Sequence, residues 1–178
     1  MRKLEMEELN RMSVDEYKNL LQLPVVVVMD NVRSGHNVGS VFRTGDAFRV
    51  ATLYLCGITA TPPNREVMKT ALGSSDSVPW RYFHETHDAL EELKQQGYEV
   101  CFIEQTTQSI SLNVFFPSKE KKYALVFGNE VEGIQSNLFP LGDRAIEIPQ
   151  FGTKHSFNIA VAAGIVLWDF WMKLKLAI

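Results

Sequence analysis

Apolar positions along the chain follow two alternating periods. Pro24 to Met29 is a β-branched run without a polar break, the pattern of a strand covered on both faces. Thr52 to Cys56, Val78 to Phe83, Tyr98 to Glu104, Tyr123 to Phe127 and Ala145 to Ile148 read as further strands. Helical spacing covers Val38 to Phe48, a short segment capped by Asn64 and running through Lys69, Thr86 to Gln96, a short piece from Ile134 to Leu138, and Asn158 to Leu174. Over residues 5 to 20, Leu9, Met12, Tyr17, Leu20 and Leu21 lie among charges, which predicts an amphipathic helix; Ser13 and Glu16 form a capping box that divides it. Gly73 to Asp76 and Gln105 to Asn113 read as loops. Strands alternating with helices predict an α/β fold, a mostly parallel sheet with helices on both faces. The expected division is a helical extension over residues 1–23 and one α/β domain over 24–178.

Composition adds modest constraints. Hydrophobic content of 46% and charged content of 22% suit a globular domain with a real core. The apolar run Val25 to Met29 is far too short to cross a bilayer, and the N-terminus lacks an apolar leader, so a cytoplasmic protein without membrane contact is expected. Cys56 and Cys101 sit in strand-like segments without metal spacing; buried free thiols and no metal follow. The net charge of −3 counts mildly against a nucleic-acid partner, but phosphate binding depends on local cations. Arg33, Arg43, Arg49, Arg65, Lys69, Lys119, Lys121, Lys122 and Lys154 could supply a basic surface.

Three polar loops follow strands and precede helices, and a parallel sheet would open all three along one edge. Asn31 to Thr44 contains Asn37, Gly39, Arg43 and Thr44; Phe127 to Ile134 contains Gly128, Asn129, Glu130 and Gly133; Ile148 to Asn158 contains Pro149, Gln150, Gly152, His155, Ser156 and Asn158, with a small-residue helix behind. Gly128 and Gly133 allow a sharp turn and a close backbone approach to a ligand. A bent, neutral-to-acidic loop suits adenosine and a sulfonium cation better than a triphosphate, and the 128–133 loop lacks a phosphate-binding lysine.

In that order and spacing the three motifs resemble the SpoU/TrmH family of RNA ribose methyltransferases, within the SPOUT class; the likeness spans about residues 24 to 172. The resemblance implies a C-terminal deep trefoil knot, S-adenosylmethionine as donor with S-adenosylhomocysteine as product, and a homodimer with its active site at the subunit interface. A knot would be improbable on general topological grounds, and only the resemblance supports it. Main-chain groups near Gln105, Gly128, Ile148 and Phe157 would hold adenine and ribose, with Phe127, Asn129, Gly133 and Gln150 around them. Phe127 and Leu125 could equally be core.

The family casts the residue matching Arg43 as the central catalytic group. Because a guanidinium stays protonated, a positioned cation that binds phosphate and stabilises a forming alkoxide suits it better than a base. Glu130 is expected to orient Asn37 or Arg43; an exposed loop acid is the plain alternative. Ser156 and Asn158 would cap the last helix and anchor donor or ribose. His155 departs from the family's usual residue and is either a proton relay or a bystander. Arg33, Arg65 and Lys69 are candidates for RNA contact, though charge on a helix surface explains Arg65 and Lys69 as well. Trp168 and Trp171 suit core or dimer interface better than base stacking. The tail Lys173 to Leu176 could meet RNA or the second subunit.

The function these readings imply is methylation of a ribose 2′-hydroxyl in structured RNA, with transfer RNA favoured over ribosomal RNA. Only about 23 residues precede the first strand, whereas many ribosomal members carry a separate N-terminal RNA-binding domain. The rivals are a non-catalytic RNA-binding relative, disfavoured by intact Asn37, Arg43, Glu130, Ser156 and Asn158, and a nucleotide-dependent Rossmann enzyme. Strand Pro24 to Met29 leads into no G-x-G-x-x-G, which counts against the last.

Overall fold

The structure, a computed structural model, describes residues 1–9 and 12–174. The strands are β1 (Leu23–Asp30), β2 (Val50–Cys56), β3 (Trp80–Phe83), β4 (Tyr98–Ile103), β5 (Ile110–Ser111), β6 (Lys122–Phe127) and β7 (Arg144–Glu147). They form one sheet in the order β3-β2-β1-β6-β4-β7-β5, with every recorded pairing parallel.

The β-branched run takes the centre of the sheet because both of its faces are needed. Val25, Val27 and Met29 point into one apolar cluster, and Val26 and Val28 into the other. The first cluster is closed by α2 (Gly35–Ala47) and α6 (Ile159–Leu174), through Val38, Val41 and Phe42 on one helix and Ala163, Val166, Leu167 and Phe170 on the other. The second is closed by Ala89, Leu90 and Leu93 of α5 (Thr86–Gln95) and by Leu138. Helices therefore cover both faces, as the alternation predicted. Cys56 and Cys101 are buried free thiols, and burial pushes each up to about 12.

Several boundaries differ from those read off the sequence. The amphipathic stretch is a 3-10 turn, Met6–Leu9, followed by α1, Val14–Lys18, with the capping box formed by Ser13 and Glu16. α2 begins at Gly35 rather than Val38, because the Ser34 side chain accepts the N–H of Asn37 and starts the helix over a glycine-bearing stretch. α3 runs Arg65–Ala71 with Asn64 as its cap. Gly73 to Asp76 is not simply loop: Ser74–Ser77 makes a single turn, α4, with the Ser74 and Ser77 hydroxyls bonded back to carbonyls of the preceding turn. Within the expected loop Gln105 to Asn113 lies β5, which pairs with β7. The short helix placed at Ile134 to Leu138 is a 3-10 turn over Ser136–Leu141.

Candidate active site

The connections from β1 lead to β2 and β3 on one side, while β6, β4 and β7 fill the other. The carboxyl ends at such a switch point leave a crevice. Here it is a cavity of about 730 Å³ lined by Ile103–Gln105, Phe127–Ile134, Ile146–Ile148, Gln150 and His155–Ile159. A volume of that size suits a ligand as large as a nucleoside derivative. Gln105, Phe127, Gly128, Asn129, Gly133, Ile148, Gln150 and Phe157 all line it. Leu125 is wholly in the core.

The 128–134 loop is folded on itself. Asn129 and Gly133 exchange two backbone hydrogen bonds of 3.0 Å, and Asn129 Oδ1 accepts the N–H groups of Val131 and Glu132 at 2.8 and 2.9 Å. Gly133 has φ 70°, a left-handed conformation that favours glycine. A Cβ on Gly128 would collide with the Gly133 carbonyl carbon, and one on Gly133 with the Glu104 carboxylate. The two glycines let this turn close.

One hydrogen-bond chain joins the three motif loops. Asn158 Nδ2 donates to Asn37 Oδ1 at 3.1 Å, and Asn37 Nδ2 donates to Glu130 Oε1 at 2.9 Å. Glu130 also accepts the backbone N–H groups of Arg33 and Ser34, at 3.1 and 3.2 Å, beside the positive end of α2. Burial pushes the Glu130 carboxyl upward, but these bonds outweigh it and hold the group below the usual carboxylate range. Glu130 thus pairs with Asn37 and not with Arg43, because its carboxylate faces the start of α2 whereas Arg43 lies six residues further along the helix. The cap of α6 is Asn158, whose Oδ1 accepts the Ala160 N–H at 2.9 Å; Ser156 lies two residues earlier and lines the cavity instead.

Arg43 is exposed and opens on a second cleft, between α2, α3 and α6, with Lys69, Thr70 and Gly164. It does not line the first cavity. Arg33 and Arg65 are exposed, Arg33 beside the Glu130 carboxylate and Arg65 at the start of α3. Gly39 permits the close contact of α2 with α3: a Cβ there would strike Thr70 Oγ1 and the Val67 carbonyl. Trp168 is 51% exposed and stacks on Trp171, with centroids 5.7 Å apart. Lys173 points inward, donating to the carbonyls of Leu112 and Phe115 at 2.6 and 2.8 Å, so it is not free to meet RNA; Lys175 and Leu176 lie outside the described residues.

A sequence profile described as the SpoU rRNA Methylase family matches residues 24–168. The chain belongs to that family. It is 30% identical over 153 residues to the 23S rRNA (guanosine-2′-O-)-methyltransferase RlmB of Neisseria meningitidis, covering 86% of this chain and 60% of that protein. It is 28% identical over 165 residues to a tRNA (guanosine(18)-2′-O)-methyltransferase of Thermus thermophilus, covering 93% of this chain and 83% of the relative. The AdoMet-bound rRNA methyltransferase of Sinorhizobium meliloti superposes with a TM-score of 0.78 at 26% identity, over 88% of this chain and 59% of that one. The chain therefore spans about three fifths of the length of the first of these relatives.

For this SpoU-family chain, the cavity's chemistry agrees with an adenosyl sulfonium donor. Glu104, Glu130, Glu132 and Glu147 line it, and among the described residues no lysine or arginine does. The four carboxylates disfavour a phosphate ligand there and favour a cation. The glycine-shaped turn and the apolar walls of Ile103, Ile146 and Ile148 leave room for a flat base against main chain. No cluster of three or more acids, histidines or cysteines that could hold a metal occurs among the described residues.

Glu104 was missed from the sequence. It directly follows β4, next to Gln105, and its half-buried carboxylate accepts the Gln105 N–H at 2.9 Å and the Ile134 N–H at 3.3 Å. An acid beginning a strand-end loop, one position before a suspected site residue, was the available signal. His155 engages through its carbonyl, which accepts from Gln105 Nε2 at 3.3 Å, while its side chain is exposed.

Proposed function

We propose that this chain transfers a methyl group from S-adenosylmethionine to a ribose 2′-hydroxyl of structured RNA, with transfer RNA as the favoured substrate. The hydrogen-bond chain from Asn158 through Asn37 to Glu130 carries the reading: it joins the three motif loops beside one cavity, which Asn158 and Glu130 line. The donor supplies an electrophilic methyl on a sulfonium. Gly128, Gly133, Gln105, Ile148, Gln150 and Phe157 would hold it through main chain and shape, and Phe127 and Asn129 would keep the turn in place. Glu130 sets the Asn37 amide, and Asn37 and Asn158 then present fixed polar groups where a ribose would sit.

Arg43 is the cation that steadies the forming alkoxide and a neighbouring phosphate. Its separation from the cavity within one chain supports a homodimer in which the second cleft of one subunit faces the first cavity of the other. Val161, Trp168 and Met172, all partly exposed on α6, give that contact an apolar seam. Arg33, Arg65 and Lys69 would bind RNA phosphates. The knot fits this arrangement, because β5 lies outside β7 and Lys173 of α6 fastens to the Leu112–Phe115 segment that would form the loop. The fuller coverage of the Thermus tRNA enzyme supports transfer RNA, and the 30% identity to the Neisseria enzyme supports 23S rRNA as the second reading. Among the described residues no helix is long and apolar enough to cross a membrane. The buried free thiols Cys56 and Cys101 support a reducing, cytoplasmic location.

Nucleoside mass spectrometry of transfer and ribosomal RNA from a strain lacking the protein tests the proposal. Loss of one 2′-O-methylnucleoside, restored by the wild-type chain and not by Arg43→Ala, is expected. An unchanged set of 2′-O-methylnucleosides would contradict it.

A further inference from the structure

We infer that Glu104 is a specificity residue, which makes the cavity favour the positively charged donor over its neutral demethylated product. The inference rests on the S-adenosylmethionine reading above and deepens it. Glu104 is fixed at the junction of two lining segments, with one oxygen on the Gln105 N–H at 2.9 Å and the other on the Ile134 N–H at 3.3 Å. The carboxylate also fills the space over Gly133 where any side chain would collide. Each oxygen accepts one backbone N–H, so both retain acceptor capacity.

The charge is not cancelled locally. Among the described residues the cavity is lined by three further glutamates and no lysine or arginine. The donor carries an ammonium, a carboxylate and a sulfonium, whereas its demethylated form keeps only the first two and is neutral overall. A half-buried negative charge distinguishes the two by direct attraction to the sulfonium, and the effect falls off with distance far less steeply than a hydrogen bond does. After transfer the same wall holds the product less tightly, which favours its exchange for fresh donor.

Calorimetric titration of the purified protein with S-adenosylmethionine and, separately, S-adenosylhomocysteine tests this without any turnover. The wild type is expected to bind the methylated ligand more tightly. Glu104→Gln should lower that ratio by about fivefold or more, chiefly by weakening S-adenosylmethionine. Glu104→Asp, which keeps the charge, should retain most of the ratio. An equal loss of both ligands in Glu104→Gln, with the ratio unchanged, would show a purely structural tie and overturn the inference. Should that variant fail to fold, the wild type decides: S-adenosylhomocysteine bound as tightly as S-adenosylmethionine, or more tightly, also overturns it. Binding of neither ligand would overturn the cofactor reading itself.

Discussion

Asn158 at the start of α6 donates to Asn37 in the first turn of α2 at 3.1 Å, across 121 positions of chain. The same Asn158 caps its own helix through Oδ1, so its amide is held at both ends and cannot rotate freely. Asn37 passes the constraint to Glu130. Three segments that are distant in sequence are thereby held to one geometry.

Replacing Asn37 with Asp removes the donor to Glu130 and sets two carboxylates against each other. Methyl transfer should fall by about a hundredfold, the scale of loss that follows from misplacing a site group by an ångström. The melting temperature should fall as well. Initial rates and thermal melts of Asn37→Asp beside Asn37→Ala separate the repulsion from simple loss of the bond.

Glu130 carries a pH signature. Its folded pKa lies below its unfolded value, so its stabilising contribution is present above the unfolded carboxylate range near pH 4 and is lost as pH falls through the lower folded value. The difference in melting temperature between wild type and Glu130→Gln should be largest near neutrality and shrink below about pH 4. A difference that stays constant from pH 7 to the acid limb would mean that the carboxylate is not held in this way.

Gly128→Ala should weaken S-adenosylmethionine binding by at least about tenfold, because the added methyl meets the Gly133 carbonyl carbon and opens the turn. Titration calorimetry reads this directly, and Gly152→Ala, with no atom within 4 Å of its added Cβ, is the control.

Lys173→Met keeps the stem and removes the ammonium that holds the Leu112 and Phe115 carbonyls and pairs with Asp169 at 2.7 Å. Urea unfolding should show a loss of about 2 kcal/mol, the usual scale for charged hydrogen bonds left unmade.

Much of the sheet was legible because burial on both faces leaves a plain mark: Val25 to Met29 could hardly belong anywhere but the centre. The glycine turn at 128–133 was legible from its residues and its strand–loop–helix order, whereas Gln105, Ile148 and Phe157 were reached only through the family resemblance. What escaped had weak local signals. β5 is only Ile110–Ser111, two residues held by their neighbour rather than by propensity. α4 is Ser-Ser-Asp-Ser, poor helix formers fixed by side-chain bonds to carbonyls. Gly35 hid the start of α2, where the Ser34 cap outweighs glycine's cost. The choice between Asn37 and Arg43 as partner of Glu130 depended on which way the second loop faces, which no spacing encodes.

The most direct test follows the methyl group. Unmethylated transfer and ribosomal RNA are incubated with the protein and isotopically labelled S-adenosylmethionine, then digested and resolved by mass spectrometry. The label should appear on the ribose of a single nucleoside, remain at reduced level with Arg43→Lys and vanish with Arg43→Ala. Label on a base, or equal labelling by all three proteins, would contradict the account.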